Sequence, residues 1–202
     1  MNLKNIRNRT LLIYIAKFLA IFCLAYYGTK AVEGLATPEN YYSPFIDHHF
    51  DYPTWLRNSL LAGTKFLVSL FGYQSYIPDH YHVRMVNGRG VQLIYACLGV
   101  GVTCFWLAFV MANKGKWMKK LIWIIGGALC IWIINVTRIS LVLVFTNTNR
   151  HLPFDIDNHD FFNVLSYVAL FLMIFLYDRS FGKVDKADKI DGVDKVDKGG
   201  SV

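Results

Sequence analysis

Apolar runs long enough to cross a bilayer decide what this chain can fold into. They cover Leu11 to about Ala36, Val91 to Ala112, Leu121 to about Phe145, and Asp160 or Phe161 to Tyr177. A hydrocarbon core takes about 20 apolar residues in a helix, and backbone in lipid must satisfy its own polar groups, so each run predicts a transmembrane helix. The chain is 54% hydrophobic, above the ~45–50% of soluble domains, and the excess lies in these runs. The expectation is an all-α membrane protein, a polytopic helical bundle of about four spans, with one domain over residues 1–182.

Charge sets the orientation. Lys4, Arg7 and Arg9 precede the first run, and Asn113–Lys120 holds four lysines in eight residues. By the positive-inside rule both patches face the cytoplasm. This predicts a multi-pass protein of the inner, cytoplasmic membrane, with its first run a signal anchor. Residues 183–202 contain five Lys and five Asp, so they add nothing to the net charge of +7; they read as a disordered, charged cytoplasmic tail. The positive excess sits beside spans, as topology signals do, and no nucleic-acid partner is indicated.

On the outer side, Thr37–Pro53 reads as a loop and Thr54–Gly72 as an amphipathic helix lying in the interface. Tyr73–Val91 alternates Tyr81, Val83 and Met85 ahead of Asn87-Gly88, which predicts a β-hairpin in a small extracytoplasmic cap.

Three polar groups sit where lipid is expected. Cys97 falls about six residues into its run from the outer side, roughly 9 Å deep. Arg138 lies about seventeen residues along a run entered from the inside, roughly 25 Å up. His159 opens the last run from outside. Each has an ordinary explanation: a packed thiol, a snorkelling arginine, an interfacial cap. Together, in one leaflet facing the extracytoplasmic side, they fit a thiol-dependent peptidase. A thiolate attacks, and a neighbouring cation favours that ionised form. His159 would take and return the proton, and Arg138 would stabilise the thiolate or the oxyanion. Asn135, three residues before Arg138 on the same helical face, would support it, and Gly99 and Gly101 would admit a close neighbour. The other cysteines, Cys23, Cys104 and Cys130, read as buried thiols. No disulfide or zinc spacing is present.

Ala96-Cys97-Leu98-Gly99, Asn135-Val136-Thr137-Arg138-Ile139 and the later His159 resemble the A-C-x-G, N-x-x-R-[IV] and His signatures of the exosortase/archaeosortase family, in the same order. Leu98 stands where a small polar residue is commoner, and the chain is short for that family. The resemblance implies a membrane-embedded cysteine peptidase or transpeptidase with Cys97 as nucleophile, Arg138 as stabiliser and His159 as base. It also implies, as partners beside the lipid bilayer, exported proteins whose C-terminal sorting helix packs beside the Cys97 run. No cofactor and no metal are called for. Arg84 and Arg89 are candidate contacts for the substrate's recognition motif, alongside Asp79; solvated surface charge explains them equally. Two other readings stay open. One is a non-enzymatic scaffold or assembly factor for export or surface polysaccharide. The other is a metal-dependent membrane hydrolase using the outer histidines, with His80 and His82 pointing the same way on a strand.

Overall fold

Two long helices frame the molecule, α1 over Leu3–Ala36 and α5 over Trp117–Asn147. The computed structural model describes residues 3–36, 42–148, 164 and 167–180. Among these, Leu11–Ala36 of α1 and the whole of α5 are the helices long and apolar enough to cross a membrane. At 1.5 Å per residue the 31 residues of α5 extend about 46 Å, more than a hydrocarbon core. Leu12 and Leu24 on α1, and Ile122 and Ile125 on α5, are well exposed, the surface a lipid solvent would cover.

The run from Val91 to Ala112 is not one span. Gly90–Gln92 is a strand, Tyr95–Leu98 a 3-10 turn, and the helix proper, α4, covers only Val100–Ala112. Its 13 residues extend about 20 Å, short of a crossing. The break has a local cause: Gly99 sits at φ +75°, in the left-handed region where glycine has no Cβ penalty. At the other end Lys120 Nζ donates to Met111 O at 3.1 Å and Asn113 Nδ2 to Phe109 O at 2.8 Å, capping the last carbonyls of α4. Trp106 Nε1 then donates to Trp123 O at 2.9 Å, and a side chain at Gly127 would run into the Trp106 ring. The hairpin of α4 and α5 is therefore tightly closed.

The segment expected as an outer loop contains a short helix, α2 (Pro44–Phe50). Pro44 takes its first turn, where a missing N–H is harmless. The next helix, α3 (Tyr52–Leu70), starts at Asp51, whose carboxylate accepts from the Thr54 amide. One apolar stripe of it is covered by protein, while Trp55, Phe66 and Leu70 stay exposed. Leu60, Leu61 and Val68 join Val136, Ile139 and Leu143 of α5 in one core. A Cβ at Gly63 would lie 2.9 Å from Val136 and 3.1 Å from Trp132, so the two helices meet closely there. Trp132 Nε1 donates to Ser59 Oγ at 3.1 Å. Arg57, which breaks the apolar spacing of this helix, is buried with its guanidinium 4.3 Å from the Tyr81 ring centroid, a cation–π contact that ties α3 to the segment joining the first two strands of the sheet.

That sheet is antiparallel with order β1 (Ser75–Tyr76), β2 (His82–Met85), β3 (Gly90–Gln92). Val83 and Met85 point into the shared core and Arg84 out of it, as the two-residue period of a strand requires. The turn joining β2 to β3 carries Asn87 at φ 60°, a conformation asparagine tolerates. Asn147, the last residue of α5, holds this ribbon: its Oδ1 accepts from Arg89 N at 2.5 Å and its Nδ2 donates to Arg89 O at 3.1 Å. A side chain at Gly88 would collide with the same carboxamide. Asn147→Ala removes both bonds and leaves the Arg89 amide without that partner. The expected cost is about 1–3 kcal/mol, read as earlier thermal unfolding and faster hydrogen exchange at Arg89 with α5 unaffected.

The chain divides into two units, residues 1–166 and 167–202. In the second, residues 167–180 are helical, covering the expected fourth run from 167 to its end at Tyr177 and three residues beyond. His159, the start of that run and the 183–202 tail lie outside the described residues.

Candidate active site

Cys97 stands not inside a helix but in the 3-10 turn ahead of α4, half-buried. Residues three apart eclipse in such a turn. Tyr95 and Leu98 therefore share one side, with Leu98 in the core, while Ala96 and Cys97 take the other two directions. The expected depth of six residues within a helix is corrected by this turn. Cys97 precedes the first residue of α4, Val100, and Gly99 is the N-cap.

From α5, two side chains reach the same atom. Asn135 Nδ2 donates to Cys97 O at 2.9 Å, and Arg138 Nη2 donates to it at 3.2 Å. Asn135 is buried and Arg138 half-buried. The structure thus brings Cys97, Asn135 and Arg138 together, through the cysteine's carbonyl. Asn135 is also the neighbour that Gly99 faces, since a Cβ at Gly99 would lie 3.0 Å from Asn135 Nδ2. Gly99→Ala should therefore be harmful twice over. It forces a non-glycine residue into left-handed backbone at roughly 1–2 kcal/mol, and it pushes Asn135 off the Cys97 carbonyl. The expected result is earlier unfolding together with weakened activity, where Gly101→Ala, whose added Cβ would meet only Tyr26 at 3.7 Å, is mild.

The opposite side of the turn is held by hydroxyls. Tyr52 OH donates to Thr29 O of α1 at 3.0 Å, and the Tyr52 and Tyr95 hydroxyls lie 3.0 Å apart. A pocket of about 480 Å³ is lined by Tyr52 together with Val32, His48, Phe50 and Trp55, among others.

Arg84 and Arg89 lie on the sheet and its turn, both exposed. Arg84 crosses Gly90, and the backbone of Arg89 is the group that Asn147 holds. His80 precedes the strand rather than lying on it, with Nδ1 3.4 Å from Asn58 Oδ1. His82 instead meets Asp79 at 2.8 Å. The Tyr81 amide first, and the His82 ring next, hold the Asp79 carboxyl below its usual range. His80 and His82 therefore do not form one strand face. Among the described residues no three His, Cys, Asp or Glu side chains gather as metal ligands would.

Tyr52, Tyr95 and Asn147 were not singled out by sequence reasoning. The signal for Tyr95 was its place in the Cys97 motif. Asn147 lies at the end of an apolar run, where a carboxamide has no obvious lipid-facing use.

Compared with known proteins, residues 5–176 match the family described as transmembrane exosortase. No curated protein and no solved structure matches the chain. The match takes in α1, α3, the sheet, the Cys97 turn and the Asn135–Arg138 face of α5, and with that coverage the chain belongs to the transmembrane exosortase family.

Proposed function

We propose that this protein is a multi-pass cysteine peptidase or transpeptidase of the inner membrane, cleaving C-terminal sorting signals of exported, membrane-anchored proteins on the extracytoplasmic side. One observation carries the reading: in a chain of this family, Asn135 and Arg138 of α5 both donate to the backbone of Cys97. A thiol held by its own main chain from a rigid helix is preorganised, which is what nucleophilic catalysis demands.

The Cys97 thiolate attacks the scissile carbonyl, forming a C–S bond and moving the carbonyl electron pair onto oxygen. His159 accepts the thiol proton, and Arg138 stabilises the oxyanion. Collapse breaks the C–N bond, and the proton on His159 leaves with the amine. Water or an acceptor amine then attacks the thioester and restores the thiol. Asn135 keeps the turn in register, and Arg84 and Arg89 contact the recognition motif. The substrate's sorting helix packs beside the short α4. No cofactor takes part.

The test is capture of the acyl-enzyme. Membranes containing the full chain are incubated with an exported protein bearing a C-terminal helix and basic tail, then quenched in acid. A hydroxylamine-sensitive adduct on the Cys97 peptide is expected by mass spectrometry. An adduct on another residue, or cleavage without any thioester, would overturn the assignment.

A further inference from the structure

The Cys97 turn is gripped from two sides, and only one grip comes from the motif residues. On the α5 side its carbonyl accepts from Asn135 and Arg138. On the other, Tyr95, two residues before the thiol, reaches the Tyr52 hydroxyl at 3.0 Å. The direction of that second chain is fixed by donor counting. Tyr52 gives its single proton to Thr29 O, so Tyr95 must be the donor to Tyr52. Burial first, and the Tyr95 hydroxyl next, push the Tyr52 phenol above its ordinary value, which keeps that proton in place. Three elements meet in this relay: α1 through Thr29, α3 through Tyr52, and the turn through Tyr95.

We propose that Tyr52 is a positioning residue for the nucleophile, acting through Tyr95 to set the rotation of the 3-10 turn that presents Cys97. The inference rests on Cys97 being the nucleophile. Tyr95 and Leu98 share the anchored side of the turn. Leu98 is held by packing in the core, which supplies no directional bond. The hydroxyl relay supplies the directional restraint. With both grips intact the backbone that carries the thiol is fixed from two sides.

The experiment uses the full chain in its native membrane, as Tyr52→Phe, Tyr95→Phe and the double variant, with Cys97→Ala alongside. Processing of exported proteins with a C-terminal helix and basic tail should fall roughly tenfold in each single variant, the scale of one hydrogen bond. The double variant should be no worse than either single, because both substitutions delete one relay. Alkylation by iodoacetamide should move the opposite way: Cys97 reacts several times faster once its turn is released, while Cys130 on α5 keeps its rate. A merely structural tyrosine would change both thiols together, or neither. Additive losses, normal processing in Tyr52→Phe, or parallel changes at Cys97 and Cys130 would overturn the proposal. If Tyr52→Phe does not accumulate, Tyr95→Phe decides the matter with the Thr29–Tyr52 bond left whole. Normal processing in Cys97→Ala sinks the cysteine reading itself. Blocked processing there with unchanged tyrosine variants sinks only the positioning role.

Discussion

In Cys97→Ala, exported substrates are expected to accumulate uncut, with processing reduced by about a thousandfold or more. Cys97→Ser should be nearly as inactive, because a hydroxyl is a far weaker nucleophile than a thiolate at neutral pH. Neither change should disturb the fold. Cys97 is half-buried in a short turn, and its bonds to α5 use its backbone oxygen, which both variants retain. Cys104 supplies the control. It is a buried thiol one turn into α4, part of the core and 4.0 Å from the Thr29 hydroxyl. Cys104→Ala should lower stability by about 1 kcal/mol and leave processing at its normal rate. Immunoblots of substrate size, normalised to the amount of each variant in the membrane, separate the two effects. Processing at wild-type rate in Cys97→Ala would leave the scaffold reading in front.

Arg138→Ala carries the second largest effect, about a hundredfold to a thousandfold loss in kcat, the scale seen when one oxyanion-stabilising donor is removed. The variant also takes one of the two α5 donors from the Cys97 carbonyl. Arg138→Lys should recover little. A lysine offers a compact charge on a different reach and no planar fork, so it does not reproduce the guanidinium's geometry toward the carbonyl. Asn135→Leu separates the two duties of this face. It deletes the shorter bond, 2.9 Å, without touching charge, and should cost less than Arg138→Ala. A result in which Asn135→Leu is the more damaging would make backbone positioning, rather than charge, the main contribution of α5.

Sequence reasoning reached the helical, membrane-embedded class and the family, because long apolar runs and short ordered motifs are local properties. It placed Asn135 and Arg138 on one face correctly, since three residues make nearly one helical turn. It misjudged the stretch from Val91 to Ala112 for a physical reason. Leu93, Ile94, Leu98 and Val100 are as apolar as any span, and hydropathy cannot tell a buried strand and turn from a helix. Gly99 was the available signal, noted for its small size rather than for its left-handed backbone. The helix expected over Thr54–Gly72 is present as α3, but its close packing on α5 was not legible. Arg57 and Lys65 look alike in sequence, yet Arg57 is buried against Tyr81 and Lys65 exposed. Tertiary partners such as Tyr52 with Tyr95, or Asn147 with Arg89, are 43 and 58 residues apart and leave no local trace.

The Asn147 clamp has a consequence for how such a protein can change. It grips the ribbon by the peptide group of Arg89, not by any side chain, so the mount is indifferent to what the ribbon displays. Only Gly88 is fixed by the carboxamide's bulk. Arg84, Val86 and Arg89 all face outward and can be exchanged without undocking the turn, whereas Asn87 is restricted by its left-handed backbone. The ribbon is thus a variable display on a constant holder, whose exposed side chains can change while the cysteine turn stays as it is.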